Sequence, residues 1–302
     1  MPCITKRHAA VDFAQSRENP LVYKVHPQEH VNTSTEPTPF EIRAGGVTLS
    51  GEKSGDGPPV VLLHGLTASR RYVLLGSRLL ERRGHHLVSY DARGHGESSP
   101  APDPTAYEYR DLASDLVGLL DALALERVVL AGSSMGAATA MAVAIAHPER
   151  VAALVQITPA AIGDGENWGD ALADGLERDG VDGFLAAYHP AIGDQWRDVV
   201  MTFTRQRLER NRHLDAVADA LRVVPRSRPF DSLEDLRRVK APTLVVGSRD
   251  ESDPGHPLAV AEAYVERLPD AELVVEEEGK APLAWRGAQV SRAIAEFLER
   301  RF

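Results

Sequence analysis

Six short runs of almost uninterrupted apolar residues, alternating with helical patterns, restrict the architecture of this chain more than any other feature. They are Val60-Val61-Leu62-Leu63, Leu87-Val88-Ser89-Tyr90, Val128-Val129-Leu130-Ala131, Leu154-Val155-Gln156-Ile157, Leu244-Val245-Val246 and Leu273-Val274-Val275. A strand with one wet face alternates apolar and polar residues, whereas a strand covered on both faces is apolar throughout. Between the runs, Tyr109, Leu112, Leu116, Leu119, Leu120 and Leu123 recur at helical spacing, as do Val290, Ile294, Phe297 and Leu298. Strand and helix in alternation predict right-handed crossovers and a mostly parallel, doubly covered α/β sheet. Ahead of them, residues 40–43 and 47–51 flank Gly45-Gly46, a two-residue hairpin signal that predicts an antiparallel edge.

One interval breaks the rhythm. Residues 160–235 lack a strand signal but carry Trp168, Phe184, Tyr188, Trp196, Phe203 and Leu221 among many charges, the mark of short amphipathic helices. At 302 residues the chain has room for one core plus such an insertion. The expected organisation is an N-terminal arm (1–37), a core (38–159 and 236–302) and a helical cap (160–235) over the carboxyl ends of the strands. The arm is polar and proline-punctuated, closing on Thr33-Ser34-Thr35-Glu36-Pro37.

Composition removes several function classes. A net charge of −10 opposes binding to phosphate backbones or anionic membranes, so neither nucleic acid nor membrane is an expected partner. Cys3 is the sole cysteine, which rules out an intrachain disulfide or a thiolate metal cluster and fits a cytoplasmic location. Lys6, Arg7, Asp12, Arg17 and Glu18 interrupt the first residues, leaving no apolar core of a signal peptide. The longest apolar run, 137–146, is too short to span a bilayer and reads as a buried helix. No metal or phosphate-loop motif is present, so no cofactor is expected.

The sharpest chemical signal is Leu130-Ala131-Gly132-Ser133-Ser134-Met135-Gly136-Ala137, a G-x-S-x-G match running from an apolar strand into an alanine-rich helix. That context fits a nucleophile elbow: the glycines permit close backbone approach, and a strained turn lifts the Ser134 hydroxyl above the sheet.

With Leu62-Leu63-His64-Gly65-Leu66 and Tyr90-Asp91-Ala92-Arg93-Gly94-His95-Gly96-Glu97-Ser98 preceding the elbow, residues 40–300 resemble the α/β-hydrolase superfamily. The resemblance implies an α/β-hydrolase fold with a helical cap, and oxyanion-binding backbone amides from Leu66 and Met135. His64 and His95 resemble structural histidines of that family's loops. It also implies an acid after a late strand. Leu244 to Asp250 places Asp250 there, with Glu251 and Asp253 as competitors. The family's histidine would follow the last strand, but there the sequence reads Gly279-Lys280, and no histidine occurs beyond His256. Three groups are left as candidate base: His256, six residues past Asp250; Lys280, if burial kept it neutral; and His189 in the cap. The implied function is a serine-dependent hydrolase or acyltransferase acting through an acyl-enzyme on a small ester, lactone or thioester. The alternative is a noncatalytic or weakly catalytic relative that binds a ligand or partner under the cap. No feature fixes an oligomeric state.

Overall fold

A computed structural model describes residues 36–161, 167–249 and 253–302. The N-terminal arm up to residue 35, together with the candidate acids Asp250 and Glu251, lies outside the described residues. The chain enters through the hairpin β1 (Thr38–Ala44) and β2 (Val47–Ser54). Gly45 and Gly46 sit between them at φ 55° and 84°, the paired left-handed conformation that matches strand twist. Then follow β3 (Pro59–Leu63), α1 (Leu79–Arg82), β4 (His86–Tyr90), α2 (Tyr109–Ala122), β5 (Val128–Ser133), α3 (Met135–Ala146) and β6 (Val151–Ile157). After β6 come α4 (Gly169–Ala187), α5 (Asp194–Leu208) and α6 (Leu214–Val223). The core resumes with β7 (Thr243–Gly247), α7 (Leu258–Arg267), β8 (Ala271–Val275) and α8 (Gly287–Arg301).

The eight strands form one sheet in the order β1-β2-β4-β3-β5-β6-β7-β8. The β1–β2 and β2–β4 pairings are antiparallel; every other pairing is parallel. The apolar runs divide residue by residue between the two faces. Val60, Leu62, Val129, Ala131, Leu244 and Val246 pack with Val290, Ile294 and Phe297 of α8. Their neighbours Val61, Leu63, Val128, Leu130 and Val245 pack with residues of α2, α3 and α7. This two-sided burial explains why the runs show no polar alternation. Helix α3 crosses on small side chains, and nine of its twelve residues are buried.

Helices α4–α6 occupy the interval that broke the sequence rhythm. They carry an apolar cluster of their own, including Leu172, Leu176, Phe184, Leu208, Val217 and Leu221. Ala216, Ala220 and Val224 join Tyr107, Tyr109 and Met135 in a second cluster that seats α6 on the core. Helix α4 is broken at Asp179-Gly180, where Gly180 has φ 62°. Among the described residues no helix is long and apolar enough to cross a membrane.

Candidate active site

Strand β5 ends in a backbone that only the local sequence tolerates. Ser134 holds φ 51° and ψ −113°, a sparsely populated region costing about 1–3 kcal/mol. Its N–H donates to the Ile157 carbonyl at 3.0 Å, which fixes the turn against β6. A Cβ at Gly132 would lie 2.3 Å from the Gly136 backbone, and one at Gly136 would lie 2.3 Å from the Leu63 carbonyl oxygen. Both positions therefore require glycine, as the motif implies. Met135 opens α3, so its amide belongs to the unpaired first turn, where the helix dipole favours negative charge.

The partner of the serine comes from the loop after β7. Ser134 Oγ lies 2.7 Å from His256 Nε2, and His256 Nδ1 lies 2.9 Å from Asp253 Oδ1. These distances fit a hydroxyl donating to Nε2 and an Nδ1–H donating to the carboxylate. Carboxylate and imidazole meet through a tight turn, Asp253-Pro254-Gly255-His256, closed by the His256 N–H donating to the Asp253 carbonyl at 3.1 Å. Aspartate at the first position and proline at the second are favourable turn chemistry, so the pair is positioned by four residues. The His256 and Asp253 side chains are 24% and 17% exposed, open enough on the cavity side to meet a substrate.

The loop after β8 supplies no base. Lys280 is exposed in a turn, its N–H donating to the Glu277 carbonyl at 3.1 Å, and it does not line the cavity at Ser134. That loop contributes a buried carboxylate instead. Glu276 accepts from the Arg249 N–H, and Arg249 Nε donates to the Glu276 carbonyl at 3.1 Å. The end of β8 thus holds the start of the loop that carries Asp253 and His256. His189, the third candidate base, is exposed and also lies outside the cavity lining.

Leu66 and Met135, the residues the family resemblance implies as oxyanion donors, both line the cavity beside Ser134. The segment carrying Leu66 is tied down by two buried imidazoles. His64 Nε2 accepts the Ala92 N–H at 2.9 Å while its Nδ1 donates to the Gly65 carbonyl at 2.8 Å. His95 Nε2 accepts the Thr67 N–H at 3.3 Å while its Nδ1 donates to the Arg93 carbonyl at 2.9 Å. Burial, assisted by the neighbouring His64, pushes the His95 pKa down to about 3, and burial lowers that of His64. Both rings are therefore neutral scaffolding near neutral pH.

Two polar residues that sequence reasoning did not single out complete the surroundings. Asn211, buried between α5 and α6, accepts the Gly96 N–H at 2.8 Å and donates to the Thr67 carbonyl at 2.9 Å. It joins the connection between α5 and α6 to the loop that carries Leu66 and Thr67, although in sequence it reads as an ordinary helix-end asparagine. Arg207, one turn earlier, lines the cavity itself. In an α5 rich in arginine, nothing distinguished it from a solvated charge. The cavity has a volume of about 730 Å³, within the range of small-molecule sites, and its walls are largely apolar, with Tyr72, Phe184, Phe203 and Trp285 among them. Among the described residues no group of His, Cys, Asp and Glu side chains is arranged to hold a metal ion.

Comparison with known proteins identifies the fold. The family model for the alpha/beta hydrolase fold matches residues 58–287. A 2-hydroxy-6-oxononadienedioate/2-hydroxy-6-oxononatrienedioate hydrolase 2 of Pseudomonas putida is 31% identical over 254 residues, covering 80% of this chain and 87% of that protein. The sn-1-specific diacylglycerol lipase ABHD11 of Mus musculus is 34% identical over 137 residues, 45% of this chain and 41% of that protein. Against curated relatives of that kind the chain spans about two fifths of their length. Among solved structures, a thermophilic esterase from Thermogutta terrifontis has a TM-score of 0.74 at 26% identity, covering 87% of this chain and 99% of that one. The enol-lactonase from Burkholderia xenovorans LB400 shares the fold, with a TM-score of 0.72 at 21% identity over 86% of this chain and 100% of that one.

Proposed function

The chain belongs to the α/β-hydrolase-fold family, and on that premise we propose that it is a serine hydrolase of small esters, lactones or thioesters, working through an acyl-enzyme at Ser134. The observation that carries this reading is the relay from Ser134 Oγ to His256 Nε2 at 2.7 Å and from His256 Nδ1 to Asp253 Oδ1 at 2.9 Å. Asp253, rather than Asp250, is the acid of the proposed triad.

In the first half-reaction the Ser134 oxygen attacks the substrate carbonyl carbon while its proton passes to His256 Nε2. The imidazolium so formed keeps its Nδ1–H against the Asp253 carboxylate, which holds the ring in one orientation and stabilises its charge. Negative charge on the former carbonyl oxygen falls to the Leu66 and Met135 amides, and a donor of this kind contributes roughly 3–4 kcal/mol to transition-state stabilisation. His256 then gives its proton to the departing alkoxide or thiolate. In the second half-reaction a water, deprotonated by His256, attacks the acyl-enzyme, and the proton returns to Ser134. Esterase and hydrolase relatives support the reaction class. An acceptor alcohol or amine in place of water would make the same site an acyltransferase.

The test is a fluorophosphonate probe with the labelled residue located by mass spectrometry. A covalent adduct on Ser134 that disappears in Ser134→Ala is the expected result. A folded protein that remains unlabelled at Ser134 would instead identify a binding protein without a working nucleophile.

A further inference from the structure

We propose that Arg207 is a substrate-recognition residue and that the acyl compound taken by this site carries a single carboxylate, an inference that rests on the serine-hydrolase reading of the same cavity. Arg207 lies in the last turn of α5, and its side chain lines the cavity that holds Ser134 and His256. Its Nε is buried without a hydrogen-bond partner, and no carboxylate of the described residues forms an ion pair with it. The contrast with other arginines of the cap helices is sharp. Arg205 reaches Asp182 at 2.6 Å, Arg222 reaches Asp174 and Glu177 at 2.7 Å each, and Arg226 reaches Asp170 at 2.6 Å, all near the outer surface. Arg210, Arg212 and Arg228 also lack an ion pair among the described residues, but they are exposed; Arg207 is the unpaired arginine that lines the cavity.

A guanidinium stays charged at any accessible pH, and in the half-buried Arg207, whose Nε is buried and unpaired, an anion or a set of acceptors would offset the lost water. Desolvation pulls the Arg207 pKa below the ordinary arginine value, and the neighbours opposing this are Tyr188, Asp253 and Tyr72. Burial raises the Tyr188 phenol above its ordinary range, so it supplies no negative charge near neutral pH, and Asp253 already accepts from His256. The compensating charge therefore arrives with the ligand. A carboxylate matches the planar fork of the guanidinium in a bidentate pair, and Arg207, the one arginine or lysine among the lining residues, balances one negative charge rather than two. The surrounding apolar lining would accept the carbon chain linking that carboxylate to the reacting carbonyl.

The experiment compares charged and neutral substrates matched in size. On the acyl side these are 4-nitrophenyl hydrogen glutarate and 4-nitrophenyl pentanoate; on the leaving-group side they are 3-acetoxybenzoate and phenyl acetate. In at least one pair the wild type prefers the anion, and Arg207→Met lowers the anionic-to-neutral ratio of kcat/KM by about 10- to 100-fold, as expected for loss of a charge-assisted hydrogen bond. The loss falls mainly in KM, and Arg207→Lys, which keeps the charge without the fork, restores part of the ratio. A ratio unchanged by Arg207→Met in both pairs overturns the inference while leaving the hydrolase reading intact. If no ester turns over, the hydrolase reading fails, and calorimetric binding of monomethyl glutarate and 3-hydroxybenzoate to the Ser134→Ala protein decides this inference separately. Binding that Arg207→Met abolishes supports it; absence of binding, or binding indifferent to Arg207→Met, overturns it.

Discussion

The loops that follow β7 and β8 stand side by side at the carboxyl edge of the sheet and divide their duties unevenly. The first carries both Asp253 and His256 in a four-residue turn, with the imidazole 2.7 Å from Ser134 Oγ. The second carries the exposed Lys280 and contributes Trp285 to the cavity wall, while its buried Glu276 reaches the Arg249 amide at the root of the first loop. In the proposed mechanism the first loop bears the base and the carboxylate that orients it, and the second holds that loop in place. The difference teaches that a relay is defined by where its atoms converge: neighbouring parallel strands bring their loops to the same place, so an imidazole from the β7 loop can serve where the β8 loop offers none.

That division can be broken at either loop. The largest effect is expected from His256→Ala, which should lower kcat on a reactive ester by about 10⁶-fold, as should Ser134→Ala, because members of such a relay act as a unit. Removing both residues together should cost little more than removing either alone, and steady-state kinetics on the double variant checks this. Asp253→Asn should lower kcat by about 10⁴-fold, since the amide presents the wrong hydrogen-bonding pattern to Nδ1. The same change at Asp250 should cost far less, and comparing the two variants identifies the acid directly.

Changes in the second loop act on stability before they act on chemistry. Glu276→Ala strips the acceptor from the Arg249 amide, and the loss of a charged hydrogen bond should destabilise the protein by about 1.5–3 kcal/mol in urea unfolding, with an unchanged m-value. Lys280→Ala should be the mildest variant, within about 0.5 kcal/mol in stability and twofold in kcat, as expected for an exposed residue without a partner role. A large loss of kcat in that variant would reverse the assignment of duties between the loops.

Legibility from sequence follows the same divide between local and nonlocal determinants. The strands, the Gly45-Gly46 hairpin and the elbow are written in short segments, because burial on two faces, paired left-handed glycines and close backbone approach each demand particular residues within a few positions. The helices α4–α6 were visible as an interval without strands, but the kink at Gly180 and the seating through Ala216 and Ala220 depend on packing between helices. His256 was one of three readings of the base because its distance to Ser134 is set by sheet order, which no local pattern encodes. The choice among the acids turns on a different feature. Placement just after the strand favoured Asp250, whereas the turn chemistry of Asp253-Pro254-Gly255-His256 already ties a carboxylate three residues ahead of the imidazole. Arg207 carried no local signal, since the features that single it out are a cavity wall and a missing counter-charge.

The central claim is that His256, and no group from the loop after β8, activates Ser134. The most direct measurement is the second-order rate of fluorophosphonate labelling at Ser134 in the wild type, His256→Ala and Lys280→Ala proteins. The account predicts a wild-type rate in Lys280→Ala and a collapse of labelling in a folded His256→Ala. Undiminished labelling without His256, or its loss without Lys280, would contradict it.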